Sequence, residues 1–122
     1  MPKSLRYTFG VHALVALLLG AALLLAPGRF LGLFGWAPVD PLLSRVLGAA
    51  LIALAWTSFR GYRASSRAQV ALLIEAEAAF CVLASVGILR HILASNWPWY
   101  VWTMLVVFIL FAVAWVWALF RK

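Results

Sequence analysis

The residues best suited to chemistry in this chain are ionisable groups placed inside apolar segments. Glu75 and Glu77 lie in one such segment and His12 lies in another. An ionisable side chain inside a membrane costs about 2.5 to 3.5 kcal/mol on insertion scales, so it normally faces protein or water and has a partner. Two carboxyls and an imidazole in such a setting are able to bind a cation or carry a proton.

Helix geometry separates the two glutamates, because two residues turn an α-helix by about 200°. Glu77 shares its face with Cys81 and Ser85, a small and mildly polar surface, whereas Glu75 looks to another side. The two carboxyls therefore cannot share one partner.

Counting along the helices at about 1.5 Å per residue gives the depth of each polar group. His12, Thr57 and Glu75 fall at similar depth in one half of the membrane, and Glu77 falls nearer the midplane. His12 is thus a candidate cation for Glu75. Arg45 falls in the other half, where it either extends to the headgroups or meets an anion or carboxylate inside the protein.

These residues have two interpretations. In the first they form a proton, ion or substrate site, whose members are Glu75, Glu77, His12, Thr57 and Arg45. In the second they are interhelical hydrogen bonds, each contributing about 0.6 to 2 kcal/mol in membranes.

Catalytic signatures are missing from the sequence. It contains no HExxH, P-loop, GxGxxG or nucleophile-elbow motif, and its single cysteine, Cys81, rules out a CxxC redox or zinc pattern. We expect no catalytic residue, no metal and no cofactor. A small-molecule membrane enzyme stays a third possibility only because of the acids in apolar segments.

The elements that carry these residues are apolar runs long enough to cross a bilayer. The chain is 67% hydrophobic and 11% charged, with a mean hydropathy of +1.07, whereas soluble domains are about a quarter charged. A helix needs about 20 apolar residues to cross about 30 Å of hydrocarbon. Four runs qualify: 9–26, 41–59, 69–89 and 99–120. The sequence predicts an all-α, integral membrane four-helix bundle with antiparallel neighbours, forming a single domain over 1–122.

The start of the chain also has features of a secretory signal, since Lys3 and Arg6 precede an apolar stretch. The small-x-small cleavage pattern is poor around residues 26–28, which favours a retained membrane helix. The following segment, 28–37, is too apolar for a hydrated loop and too short to cross. We expect it to lie in the membrane interface, with its large side chains in lipid, namely Phe30, Leu31, Phe34 and Trp36.

Basic residues favour the cytoplasmic side of short loops, and they are distributed unequally here. One side carries Lys3, Arg6, Arg60, Arg63, Arg67, Arg121 and Lys122; the other carries Arg29 and Arg90. Both termini are therefore predicted to be cytoplasmic. The net charge of +7 is spread over the helix ends instead of forming one stripe, which favours anionic lipids over nucleic acid as a partner.

Small residues four positions apart let membrane helices approach closely. They occur as Ala16 and Gly20 in the first run and as Ala49 and Ala53 in the second. These are predicted contact faces, either within this chain or with a neighbouring one.

Two strings, Leu-Leu-Leu-Ala-Pro-Gly-Arg-Phe-Leu-Gly-Leu-Phe-Gly at 23–35 and Arg-Val-Leu-Gly-Ala-Ala at 45–50, resemble small four-helix membrane protein families of bacteria. The resemblance covers the first half of the chain. It implies the four-helix fold, and it implies no mechanism, because those families bring no established activity.

Two functions are compatible with these features. The first is a non-catalytic accessory subunit or self-associating scaffold, multi-pass in the bacterial inner membrane, that forms a homo-oligomer or joins a larger complex. The second is an oligomeric proton- or cation-coupled transporter or channel using Glu75, Glu77 and His12, since four helices are few for enclosing a pathway.

Overall fold

A computed structural model describes residues 1–36 and 40–121 of the protein, and these residues are helical with short connections. The helices are α1 (Lys3–Leu25), α2 (Pro27–Gly32), α3 (Pro41–Arg63), α4 (Ala71–Ala94) and α5 (Trp99–Phe120), with a 3₁₀ turn at Arg67–Val70. Residues 37–39 and Lys122, which the predicted domain over 1–122 includes, lie outside the described residues. The all-α prediction is confirmed for the part of the chain that the structure describes.

Four helices are long and apolar enough to cross a membrane, as the sequence predicted. They cover Lys3–Leu25, Pro41–Tyr62, Arg67–Ala94 and Trp99–Phe120. The first begins six residues before the predicted run and the third ends five residues after it, because backbone hydrogen bonding continues into the polar ends that a hydropathy window trims. The described chain divides into two compact units, Pro2–Arg63 and the residues from Ala64 onward, and each is described by itself.

In the first unit, α1 packs along α3. Phe9 lies over Gly61 near one end of the pair, and Gly20 lies against Gly48 further along. Contacts nearer the C-terminus of α1 therefore lie nearer the N-terminus of α3. The small residues at these crossings remove the side-chain bulk that would otherwise separate the helices.

The closest approach is at Gly48. A Cβ on this residue would lie 2.7 Å from the carbonyl oxygen of Gly20 and 2.6 Å from the backbone nitrogen of Leu24, so only glycine fits. Ala16 and Gly20 are buried, as the small-residue pattern predicted. Ala49 and Ala53 are exposed, so that part of the prediction is wrong for contacts within the chain: the packed face of α3 begins one residue earlier, at Gly48.

The segment after α1 forms the short helix α2. Gly35, with φ of +70°, ends the turn that follows it, while the Trp36 N–H donates to the Leu31 carbonyl at 3.1 Å. This is a Schellman arrangement, which needs a residue that adopts the left-handed region. Leu33 and Phe34 are exposed, so the segment presents apolar side chains at the surface. Asp40 then begins α3 by accepting a hydrogen bond from the Leu43 N–H at 3.0 Å.

In the second unit, α4 packs along α5. The Arg67 side chain reaches Ala118 at one end, and His91 lies against Trp97 at the other with ring centroids 4.5 Å apart. Between these ends, Phe80 and Phe108 meet edge to face at 5.9 Å. Trp115 of α5 is fully buried.

Candidate functional site

His12 and Ser58 form a buried polar pair within the first unit. Nδ1 of His12 and Oγ of Ser58 are 2.8 Å apart, and the two residues are 5% and 0% exposed. The pair joins α1 to α3. An imidazole and a hydroxyl both donate and accept hydrogen bonds, so this arrangement is able to hold a proton in a defined position.

Thr57, which the sequence favoured as the polar residue at the level of His12, has a local role. Its hydroxyl donates to the Leu54 carbonyl of its own helix at 2.9 Å. Ser58 takes the interhelical position because one residue turns an α-helix by about 100°, and the glycine contacts place Ser58 toward α1. The depth count placed Thr57 at the level of His12, and the packing of α3 on α1 brings the next residue, Ser58, to His12.

Glu77 is buried in α4, only 2% exposed. Cys81, one turn later, is also buried, and the Ser85 hydroxyl donates to the Cys81 carbonyl at 2.7 Å. These three residues lie along one side of α4, as the spacing predicted. Ser85 uses its hydroxyl within the helix.

Glu75 lies on a different side of α4 and is exposed. Within the described part of the second unit, no group forms a hydrogen bond or a salt bridge with its carboxyl group. Glu75 follows Arg67 by eight residues, about 12 Å along the helix, so it lies well inside the candidate span Arg67–Ala94. The pairing of Glu75 with His12 stays a prediction.

Arg45 and Arg67 bind the ends of helices. Nη1 of Arg45 donates to the Leu24 carbonyl at 3.0 Å, in the last turn of α1. Nη2 of Arg67 donates to the Ala118 carbonyl at 2.6 Å and to the Leu119 carbonyl at 3.1 Å, in the last turn of α5. The last carbonyls of a helix lack partners within it and carry partial negative charge, so an arginine from the neighbouring helix stabilises both ends.

The Arg45 contact adds a role that neither expectation included. Its side chain is exposed, and its guanidinium donates to a backbone carbonyl. Contact with headgroups or with an anion stays a prediction. Pro27 begins a new helix, so α1 ends just before it and the last carbonyls of α1, including that of Leu24, lack donors within the helix.

The predicted site residues are thus distributed over several environments. His12 and Glu77 are buried, Thr57 is half-buried, and Glu75 and Arg45 are exposed. No protein-family model, curated protein or solved structure matches this chain.

Proposed function

We propose that this chain is a non-catalytic multi-pass protein of the bacterial inner membrane that acts as an accessory subunit or self-associating scaffold. The observation that carries the proposal is the exposed Glu75 on α4. A carboxyl group facing lipid in a membrane span costs about 2.5 to 3.5 kcal/mol on insertion scales. A second membrane helix that covers Glu75 and hydrogen-bonds to it removes that cost.

The surroundings of Glu75 suit such a helix. Ala76 and Ala79 are exposed beside it, and small residues allow another helix to approach closely. On α3, Ala49 and Ala53 are exposed as well, which adds a second small-residue face. Both faces therefore suit contact with additional membrane helices, either from a second copy of this chain or from another protein.

The proposed arrangement in the membrane places both termini in the cytoplasm, with antiparallel neighbouring helices. Four basic residues support it, since Lys3 and Arg6 at the start of α1 and Arg60 and Arg63 at the end of α3 are all exposed. Their positive charge favours the cytoplasmic leaflet, where anionic lipids attract basic residues near the surface.

The mass of the complex extracted in a mild detergent or in native nanodiscs tests the proposal. The expected result is a particle larger than one 13.5 kDa chain, either a multiple of it or a complex with other proteins. Glu75→Leu should reduce that assembly, whereas Leu110→Ala on the exposed surface of α5 should leave it intact. A wild-type chain that stays monomeric in nanodiscs contradicts the proposal.

The alternative function is an oligomeric proton- or cation-coupled transporter or channel that uses Glu75, Glu77 and His12. The observation favouring it is that Glu77 and His12 are both buried inside candidate spans, where ionisable groups often mark ion or proton pathways. Proteoliposomes loaded with a pH-sensitive dye would report proton flux.

The substitution of glutamate by glutamine separates the two functions. Glutamine keeps a donor and an acceptor but cannot release a proton, so Glu75→Gln and Glu77→Gln should abolish coupled flux while leaving assembly intact. Flux in the wild type that both substitutions remove favours the transporter. Absence of flux from an assembled wild type favours the scaffold.

A further inference from the structure

The exposed surface of α4 contains a continuous stripe with the spacing of a helix-pairing seam. Its members recur at alternating intervals of three and four residues, and each is exposed: Leu72, Glu75, Ala79, Val82, Val86, Leu89 and Leu93. We call these residues the α4 seam. A repeat averaging 3.5 residues keeps one face of a helix against a parallel partner over several turns.

Glu75 is the one polar member of the α4 seam. In a parallel pair of identical helices related by a two-fold axis, residues at seam positions meet their own copies. Glu75 therefore meets Glu75 of the second copy. Ala79, one turn away, leaves room for the two backbones to approach closely at this level.

A carboxyl group is able to satisfy a copy of itself. In its acid form it has one O–H donor and retains acceptor capacity, so it can donate to a second carboxyl or carboxylate and also accept from it. An arginine or lysine is a donor only and has no such complementarity with its own copy. The polar group of this face therefore matches an identical face.

Taken with the proposed membrane scaffold, on which this inference rests, the structure points to a second copy of this chain as the occupant of the α4 seam. We propose that two copies associate in parallel through α4, with the Glu75 carboxyls hydrogen-bonded to each other across the two-fold axis. The chain is then an isologous dimer whose contact is specified by one polar residue within an apolar seam.

Disulfide crosslinking tests the location of the contact. In a Cys81→Ala background, which removes the single native thiol, Ala79→Cys should form a disulfide dimer in native membranes, since Cα atoms within about 7 Å can be bridged. The matched control is Ala53→Cys, which places the same substitution on the exposed face of α3. Ala79→Cys should give the dimer as the main product and Ala53→Cys should stay monomeric.

Substitution of Glu75 tests the role of its carboxyl group. Glu75→Gln should retain the dimer, because two amides also donate and accept across a two-fold axis. Glu75→Leu should weaken it by about three- to thirty-fold, the range expected for the loss of an interhelical hydrogen bond in a membrane. Far-UV circular dichroism checks that each variant is folded.

The outcomes distinguish this inference from the proposed function. A dimer that crosslinks through Ala53→Cys instead of Ala79→Cys overturns the α4 seam and keeps the scaffold. A dimer that Glu75→Leu leaves unchanged overturns the role of Glu75 in the α4 seam and in the proposed function alike. Crosslinking of Ala79→Cys to a different polypeptide contradicts a second copy of this chain as the occupant of the α4 seam, and it agrees with an accessory subunit. A monomer in every variant contradicts both the dimer and the proposed function.

Discussion

At the scale of single residues, the hydrogen bond between His12 and Ser58 is a buried polar link between α1 and α3. It is 2.8 Å long, and both partners are buried. If one partner is removed, the other loses a hydrogen bond that solvent cannot replace. Ser85 offers a contrast, because its hydroxyl bonds only to the Cys81 carbonyl of its own helix. The two serines differ in what they connect.

This difference predicts unequal effects of the same substitution. Ser58→Ala should lower the free energy of unfolding by about 0.6 to 2 kcal/mol, the range for interhelical hydrogen bonds in membranes. Ser85→Ala should change it little, since the carbonyl that accepts from Ser85 already belongs to the helix ladder. Unfolding by sodium dodecyl sulfate in mixed micelles measures both. Equal losses from the two variants would contradict an interhelical role for Ser58.

At the scale of helices, the packing of α1 on α3 depends on glycine at the crossing. Gly48 has no space for a Cβ, since Gly20 and Leu24 backbone atoms would lie 2.7 Å and 2.6 Å away. Gly87 in α4 has no atom within 4 Å of the same position. An added methyl group would therefore clash with the neighbouring backbone at Gly48 and would meet no atom at Gly87.

Gly48→Ala should destabilise the first unit by about 1 to 3 kcal/mol, because the added methyl forces the helix backbones apart. Gly87→Ala is the matched control, and it should be neutral or slightly stabilising because alanine favours the helix. The measurement is again the unfolding midpoint in mixed micelles. A Gly48→Ala variant as stable as Gly87→Ala would show that the two helices do not cross at this glycine.

The arginines at helix ends give a second prediction at this scale. Arg67→Met removes the donors to the Ala118 and Leu119 carbonyls, so the last turn of α5 should fray. A charge-assisted hydrogen bond contributes about 1.5 kcal/mol, so amide exchange in that turn should accelerate roughly tenfold.

Hydrogen exchange followed by mass spectrometry measures the effect of Arg67→Met. Arg90→Met, which removes an exposed arginine near the other end of α4, serves as the control and should leave the last turn of α5 unchanged. Protection of that turn in Arg67→Met at the wild-type level would be inconsistent with a capping role.

At the scale of the whole molecule, the distribution of basic residues predicts the orientation in the membrane. Alkaline phosphatase fused after Arg121 should be inactive, because that enzyme folds only outside the cytoplasm. The same enzyme inserted between Ser95 and Asn96, in the connection from α4 to α5, should be active. A green fluorescent protein fused at the same two sites should give the reverse pattern. Activity of the phosphatase after Arg121 would place the C-terminus outside.

The sequence by itself determined the helices of this protein. Runs of about 20 apolar residues have one stable conformation in lipid, because every backbone N–H and C=O must be satisfied within its own segment. The breaks follow equally local rules, such as Pro27 at the start of α2 and Asp40 capping α3. Separate faces for Glu75 and Glu77 also follow from the turn of a single helix.

Only the tertiary structure decided which side of each helix is packed. In an apolar helix nearly every face is hydrophobic, so periodicity cannot distinguish a protein contact from a lipid contact. Packing assigned the hydrogen bond of His12 to Ser58 and not to Thr57, and it buried Gly48 while exposing Ala49. It also left Glu75 exposed, because the contacts of α4 with α5 use another face, and that exposure is the basis of the proposed assembly.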